Sequence, residues 1–144
     1  MKRRKFSPVE RQFVIERAGG MCEYCRSLLD YSPESFDIEH IIPLVKGGGN
    51  DLDNLALACG GCNGRKRDYT GSIDNSSGKF VSFFHPRTQR WEDHFAWDET
   101  LESIIGKSLT GKVTIEALAL NRLGLVNLRK ALKLVGVHPA IVNK

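Results

Sequence analysis

No apolar run in the 144 residues approaches the ~20 that a membrane-spanning helix needs, so a membrane partner is not expected. No apolar run follows the opening Met1-Lys2-Arg3-Arg4-Lys5 either, so export to an oxidising compartment is not read here, and a cytoplasmic location is expected. Internal repeats and low-complexity tracts are missing, which removes solenoid and fibrous architectures. An overwhelming charge of one sign is missing too: 21 basic against 17 acidic residues leave +4, so basic character matters only where it clusters, at residues 2–5 and at Arg65-Lys66-Arg67. Cysteine is scarce, with four in the chain, and the length allows one domain with an appendage but no larger assembly of domains.

All four cysteines stand in two Cys-x-x-Cys pairs, Cys22/Cys25 and Cys59/Cys62. Each pair sets two thiolates on one tight turn, and two such turns together supply the four soft ligands of a closed structural Zn2+ site. The alternatives are a pair of disulfides, or a zinc knuckle that only props up a binding surface. The pairs are 33 residues apart, longer than a compact zinc ribbon allows, so the intervening segment must fold in its own right. It carries Glu39-His40 at the end of an apolar stretch, a glycine turn at 47–49, Asp53-Asn54-Leu55, and Asn63 directly after Cys62.

The expected elements are both helical and extended. Ser7, Pro8 and Glu10 form a capping box with proline at the first helical position. Val9, Phe13 and Val14 give that helix an apolar face, and Gly19-Gly20 ends it. Phe36, Ile38, Ile41 and Ile42 read as a strand stopped by Pro43, Leu55 and Leu57 as the returning strand, and 62–67 as a brief helix. A polar stretch at 70–79 reads as a linker or long loop. Beyond it, 80–84, 91–97 and 103–105 read as strands. Thr114 caps a short helix through Leu120, and Leu125, Leu128, Leu132 and Val135 mark a last helix closed by Gly136. The expected class is therefore α+β: a basic arm and helix at 1–20, the cysteine-framed unit at 21–69, a linker or long loop at 70–79, and a mixed strand and helix extension at 80–144 packing on that unit.

Strand, loop, strand and helix inside two thiolate pairs, with Glu39-His40, Asn54 and Asn63 in that order, resemble the ββα-metal finger of the HNH endonucleases. The runs 84–87, 90–95 and 106–120 resemble the C-terminal extension of some stand-alone bacterial HNH proteins. The resemblance implies a nuclease in which His40 is the general base, Glu39 and Asn63 hold a divalent cation (Mg2+ or Mn2+), and Asn54 holds the loop that orients the histidine. Asn63 stands where the motif's name has its last histidine. Phosphodiester hydrolysis needs an activated water and positive charge where the phosphate oxygens gain negative charge, and this set of groups suits both needs. Glu39 and His40 point to opposite faces of an ideal strand, so a shared cation requires the chain to bend there.

Arg65, Lys66 and Arg67 are expected to meet flanking phosphates. Trp91 and Trp97 are expected in the core, with base stacking as the alternative. His85 and His94 are read as structural rather than substrate-binding groups, and the basic side of the last helix, Arg129, Lys130 and Lys133, as facing water rather than DNA. The implied activity is cleavage of DNA to 5′-phosphate and 3′-hydroxyl ends by a monomer or homodimer. The alternatives are RNA cleavage and a catalytically silent zinc-stabilised module that binds nucleic acid.

Overall fold

The structure is a computed structural model that describes residues 5–140. Lys2, Arg3 and Arg4 of the basic opening lie outside the described residues. The first helix, α1 (Pro8–Arg17), starts where expected, because the Ser7 hydroxyl accepts the Glu10 backbone N–H while the Glu10 carboxylate accepts that of Ser7. Its apolar face is narrower than the sequence suggested. Val14 is buried, but Val9 and Phe13 are exposed, and the Arg17 guanidinium covers one side of the Phe13 ring. Polar contacts tie the helix down instead. Arg11 donates to the carbonyl of Phe36, and Arg17 donates to those of Leu52 and Leu55.

The strands β1 (Asp37–His40) and β2 (Leu55–Ala58) pair antiparallel, with His40 opposite Leu55. The helix α2 (Gly60–Lys66) follows at once, capped by the Cys59 sulfur, which accepts the Cys62 N–H. The first strand stops at His40 rather than at Ile42. The Ile41 N–H goes to the Asn54 backbone, and both backbone polar groups of Ile42 are taken by the Asn54 side chain.

Residues 70–79, read from sequence as a linker or long loop, include a strand and a turn. A strand β3 (Gly71–Ile73) pairs with β4 (Phe80–Ser82), and the Asp74 carboxylate closes the turn between them by accepting from Ser76 and Ser77. The aromatic stretch 91–97 divides into a single helical turn, α3 (Trp91–His94), and a strand β5 (Phe95–Trp97) that pairs with β6 (Ile104–Gly106). The next helix, α4 (Leu109–Leu118), is capped by Ser108 and not by Thr114. Thr114 lies inside it, with its hydroxyl donating to the Thr110 carbonyl and accepting from the Phe84 N–H. Last comes α5 (Leu123–Leu134).

The architecture is thus α+β, with three two-stranded sheets and five α-helices, besides three short 3-10 turns, among the described residues. One apolar cluster runs from Val14, Leu55 and Leu57 through the cysteines to Phe84, Trp91, Phe95, Leu118 and Leu125. The cysteine-framed unit therefore shares its core with the segments beyond it. No described helix is long and apolar enough to cross a membrane.

Candidate active site and metal centre

The four cysteine sulfurs lie within 4.8 Å of one another and all four residues are buried. Cys25 Sγ is 3.7 Å from Cys59 Sγ, close to the edge of about 3.8 Å that a tetrahedron with Zn–S bonds of ~2.3 Å requires. All four are free of disulfides, which removes that alternative. Burial pushes the Cys22 thiol up, while hydrogen bonds from Cys22, Cys25 and Cys62 hold Cys59 far below the ordinary thiol range. Competition of this kind is resolved by a cation that favours all four thiolates at once.

Arg122, just before α5, donates to Cys62 Sγ at 3.6 Å and to Cys59 Sγ at 3.5 Å. Arg129, read from sequence as solvent-facing, is buried. It donates to the carbonyls of Cys25 and Leu120, and its guanidinium lies over the Trp97 ring. Lys130 and Lys133 pair with Glu102.

At the end of β1, a shallow cleft of about 190 Å³ is lined by Glu39, His40, Asn63 and Arg67 among others. Both residues line the same opening, although successive side chains of a strand point to opposite faces. His40 Nε2 is 2.8 Å from Asn50 Oδ1. An amide oxygen can only accept, so this contact places the ring proton on Nε2 and the lone pair on Nδ1. The Asn54 amide accepts from Ile42 N–H at 2.9 Å and donates to the carbonyls of Ile42 at 3.0 Å and Gly49 at 2.8 Å. It thereby fastens both ends of the loop that follows His40. The Asn63 amide nitrogen donates to Asp37 at 3.1 Å.

Glu39 is almost wholly enclosed. The Tyr24 hydroxyl donates to Oε1, and the Lys66 ammonium lies 3.0 Å from Oε2. Burial raises the Glu39 carboxyl above its ordinary pKa, against the pull of Lys66 and Tyr24 in the other direction.

The basic triplet has divided. Lys66 is buried, and its ammonium also donates to the carbonyls of His40 and Ile41, so it is not placed to meet a phosphate from solvent. Arg65 is exposed and folds back to the Gly61 carbonyl. Arg67 is exposed and borders the cleft, with a backbone φ of 51°, a region costly for a residue with a Cβ.

Tyr24, Asn50, Arg122 and Lys66 in its actual role were not found from sequence. Tyr24 sits inside the first Cys-x-x-Cys and Asn50 closes the glycine turn, so their positions were suggestive. Nothing local marked Arg122. Trp91 is in the core, donating to the Tyr24 carbonyl at 3.1 Å, and Trp97 stacks edge-on with His138. His94 bonds the Ser108 hydroxyl. His85 lines a neighbouring cavity together with Ile41 and Lys66.

Residues 22–68 match the HNH endonuclease family. The HNH segment runs from the first thiolate to just past α2 and encloses all four cysteines together with Glu39, His40, Asn54 and Asn63. Nuclease chemistry on nucleic acid is the general activity that this match suggests. No curated protein matches the sequence.

Proposed function

We propose that the protein is a metal-dependent endonuclease that hydrolyses DNA phosphodiester bonds with His40 as the general base. The observation that carries this reading is His40 lining the cleft with Glu39 and Asn63, its Nε2 2.8 Å from Asn50 Oδ1, a contact that in the neutral ring leaves Nδ1 as the acceptor. Nδ1 takes a proton from water, the resulting hydroxide forms the bond to phosphorus, the bond to the 3′ oxygen breaks, and that oxygen takes a proton from solvent water to leave 5′-phosphate and 3′-hydroxyl ends. The Glu39 carboxylate and the Asn63 amide oxygen are hard donors suited to Mg2+ or Mn2+, which keep several waters. When bound, that cation supplies positive charge to the attacked phosphate and the departing oxygen. The thiolate centre, closed by four cysteines, is structural. Arg67 and Arg65 hold flanking phosphates, and the Asn54 clamp keeps the loop beyond His40 in place.

One observation favours a second reading, a zinc-stabilised binding module without catalysis: the Glu39 carboxylate is already engaged by Lys66 and Tyr24. A carboxylate has about four lone-pair positions, so two remain for a cation. Plasmid nicking in Mg2+ or Mn2+ decides. His40→Ala should lower the nicking rate at least ~100-fold with zinc content and DNA affinity unchanged. Wild-type protein that binds DNA and never nicks it would establish the binding module, and RNA run beside DNA tests the remaining alternative.

A further inference from the structure

The β3–β4 hairpin has one face against the protein and one against water. On the inner face Phe83 is buried and Val81 packs against the core. The ladder continues past the strands through Phe83 N–H to the Thr70 carbonyl and Asp74 N–H to the Lys79 carbonyl, which fixes the alternation of faces from 70 to 83. The outer face should then be polar. Instead it presents Ile73 and Phe80, which are direct cross-strand partners 56% and 59% exposed, and Tyr69 at 53% precedes the hairpin. Phe80 lies across the strand: a Cβ on Gly71 would stand 2.3 Å from the Val81 carbonyl oxygen and 2.7 Å from the Phe80 Cζ, so the close cross-strand backbone requires glycine and the ring lies over it.

The patch begins where the cleft ends. Arg67 and Asp68 border the cleft, and Tyr69 is the next residue. Exposed Arg67 stands two residues before Tyr69, and exposed Lys79 one before Phe80. Of the acids in this stretch, Asp68 is exposed, and Asp74 accepts from the turn serines while keeping its charge. Half-exposed side chains of this size offer roughly 100 Å² each, well below the ~800 Å² per partner of a stable dimer but matched to the face of a nucleobase.

We propose that the outer face of this hairpin is a stacking platform for unpaired bases, so that the cleft is fed by single-stranded nucleic acid or by a flayed strand of a duplex. The platform takes its purpose from the nuclease reading, but its test does not need cleavage. The zinc-loaded 144-residue chain is titrated, without added Mg2+ or Mn2+, into fluorescein-labelled oligothymidylate and into a duplex of equal length, with anisotropy as the readout. Phe80→Ala and Tyr69→Ala should each weaken oligothymidylate binding at least ~5-fold, the lower end of what one base stack is worth. Duplex affinity should move less than about twofold, since phosphate contacts dominate there. Phe80→Trp should restore single-strand binding, which a loss through misfolding would not allow. Unchanged single-strand affinity in both alanine variants overturns the proposal. So does a wild-type dimer in sedimentation that Phe80→Ala dissolves, because the patch would then be a self-interface. A protein that stacks oligothymidylate but never nicks would retain the platform and lose the nuclease.

Discussion

Asn54 makes three side-chain hydrogen bonds that hold the two ends of the loop after His40. At about 0.5–1.5 kcal/mol net for each, Asn54→Ala should cost about 2–4 kcal/mol in urea unfolding. Gly48 belongs to the same clamp: a Cβ there would stand 1.8 Å from the Ile42 carbonyl oxygen and 2.8 Å from Asn54 Nδ2, so Gly48→Ala should destabilise in the same direction. The holding role of Asn54 was legible in the sequence because the resemblance assigns it and its loop is local. Lys66 was not. A lysine in an Arg-Lys-Arg run reads as solvated, and only the contact between α2 and β1 shows its ammonium among the Glu39 carboxylate and two carbonyls.

At the scale of elements, the first thiolate turn and β1 are joined through one side chain, since Tyr24 lies between Cys22 and Cys25 and its hydroxyl donates to Glu39. Loss of zinc should therefore disorder the β1–β2 pair and α2 together, in keeping with the roughly 10 kcal/mol or more that structural zinc contributes in small domains. Arg122 adds two N–H···S contacts from outside the HNH segment. Arg122→Leu should weaken zinc binding about 10–100-fold, the usual effect of removing a group that supports metal ligands, as read by competition with a chromophoric chelator. The capping box of α1 was legible because its partners are three residues apart. The β3 strand was not, because its stabilising contacts are the ladder to β4 and the packing of its inner face, and neither is written in the polar composition of 70–79.

For the whole molecule, the shared core makes the C-terminal segments part of the site's foundation. His85 lies in a cavity between the two parts, where burial lowers its imidazole pKa, with Lys66 adding to this and Asp53 opposing it. A histidine lowered in the fold binds its proton more tightly when unfolded. Its contribution to stability is whole above the ordinary value of 6.5 and is lost as pH falls through the lowered value. His85→Asn keeps an acceptor for the Arg87 N–H, which His85 Nδ1 now receives, while removing the titration. The fall in melting temperature between about pH 7 and about pH 5 should be smaller in this variant than in wild type. Burial lowers His138 as well, so part of the dependence should remain.

The residues by themselves determined the two cysteine pairs that come together, the capped first helix and the strand-loop-strand-helix order, because these depend on spacing along a few turns of chain. Only the tertiary structure decided that Lys66 neutralises Glu39, that Asn50 orients His40, that Arg122 and Arg129 brace the thiolate turns, and that the exposed aromatics lie on the hairpin. Each of these is a contact between segments remote in sequence or a choice of which face is covered, and both follow from how the elements pack.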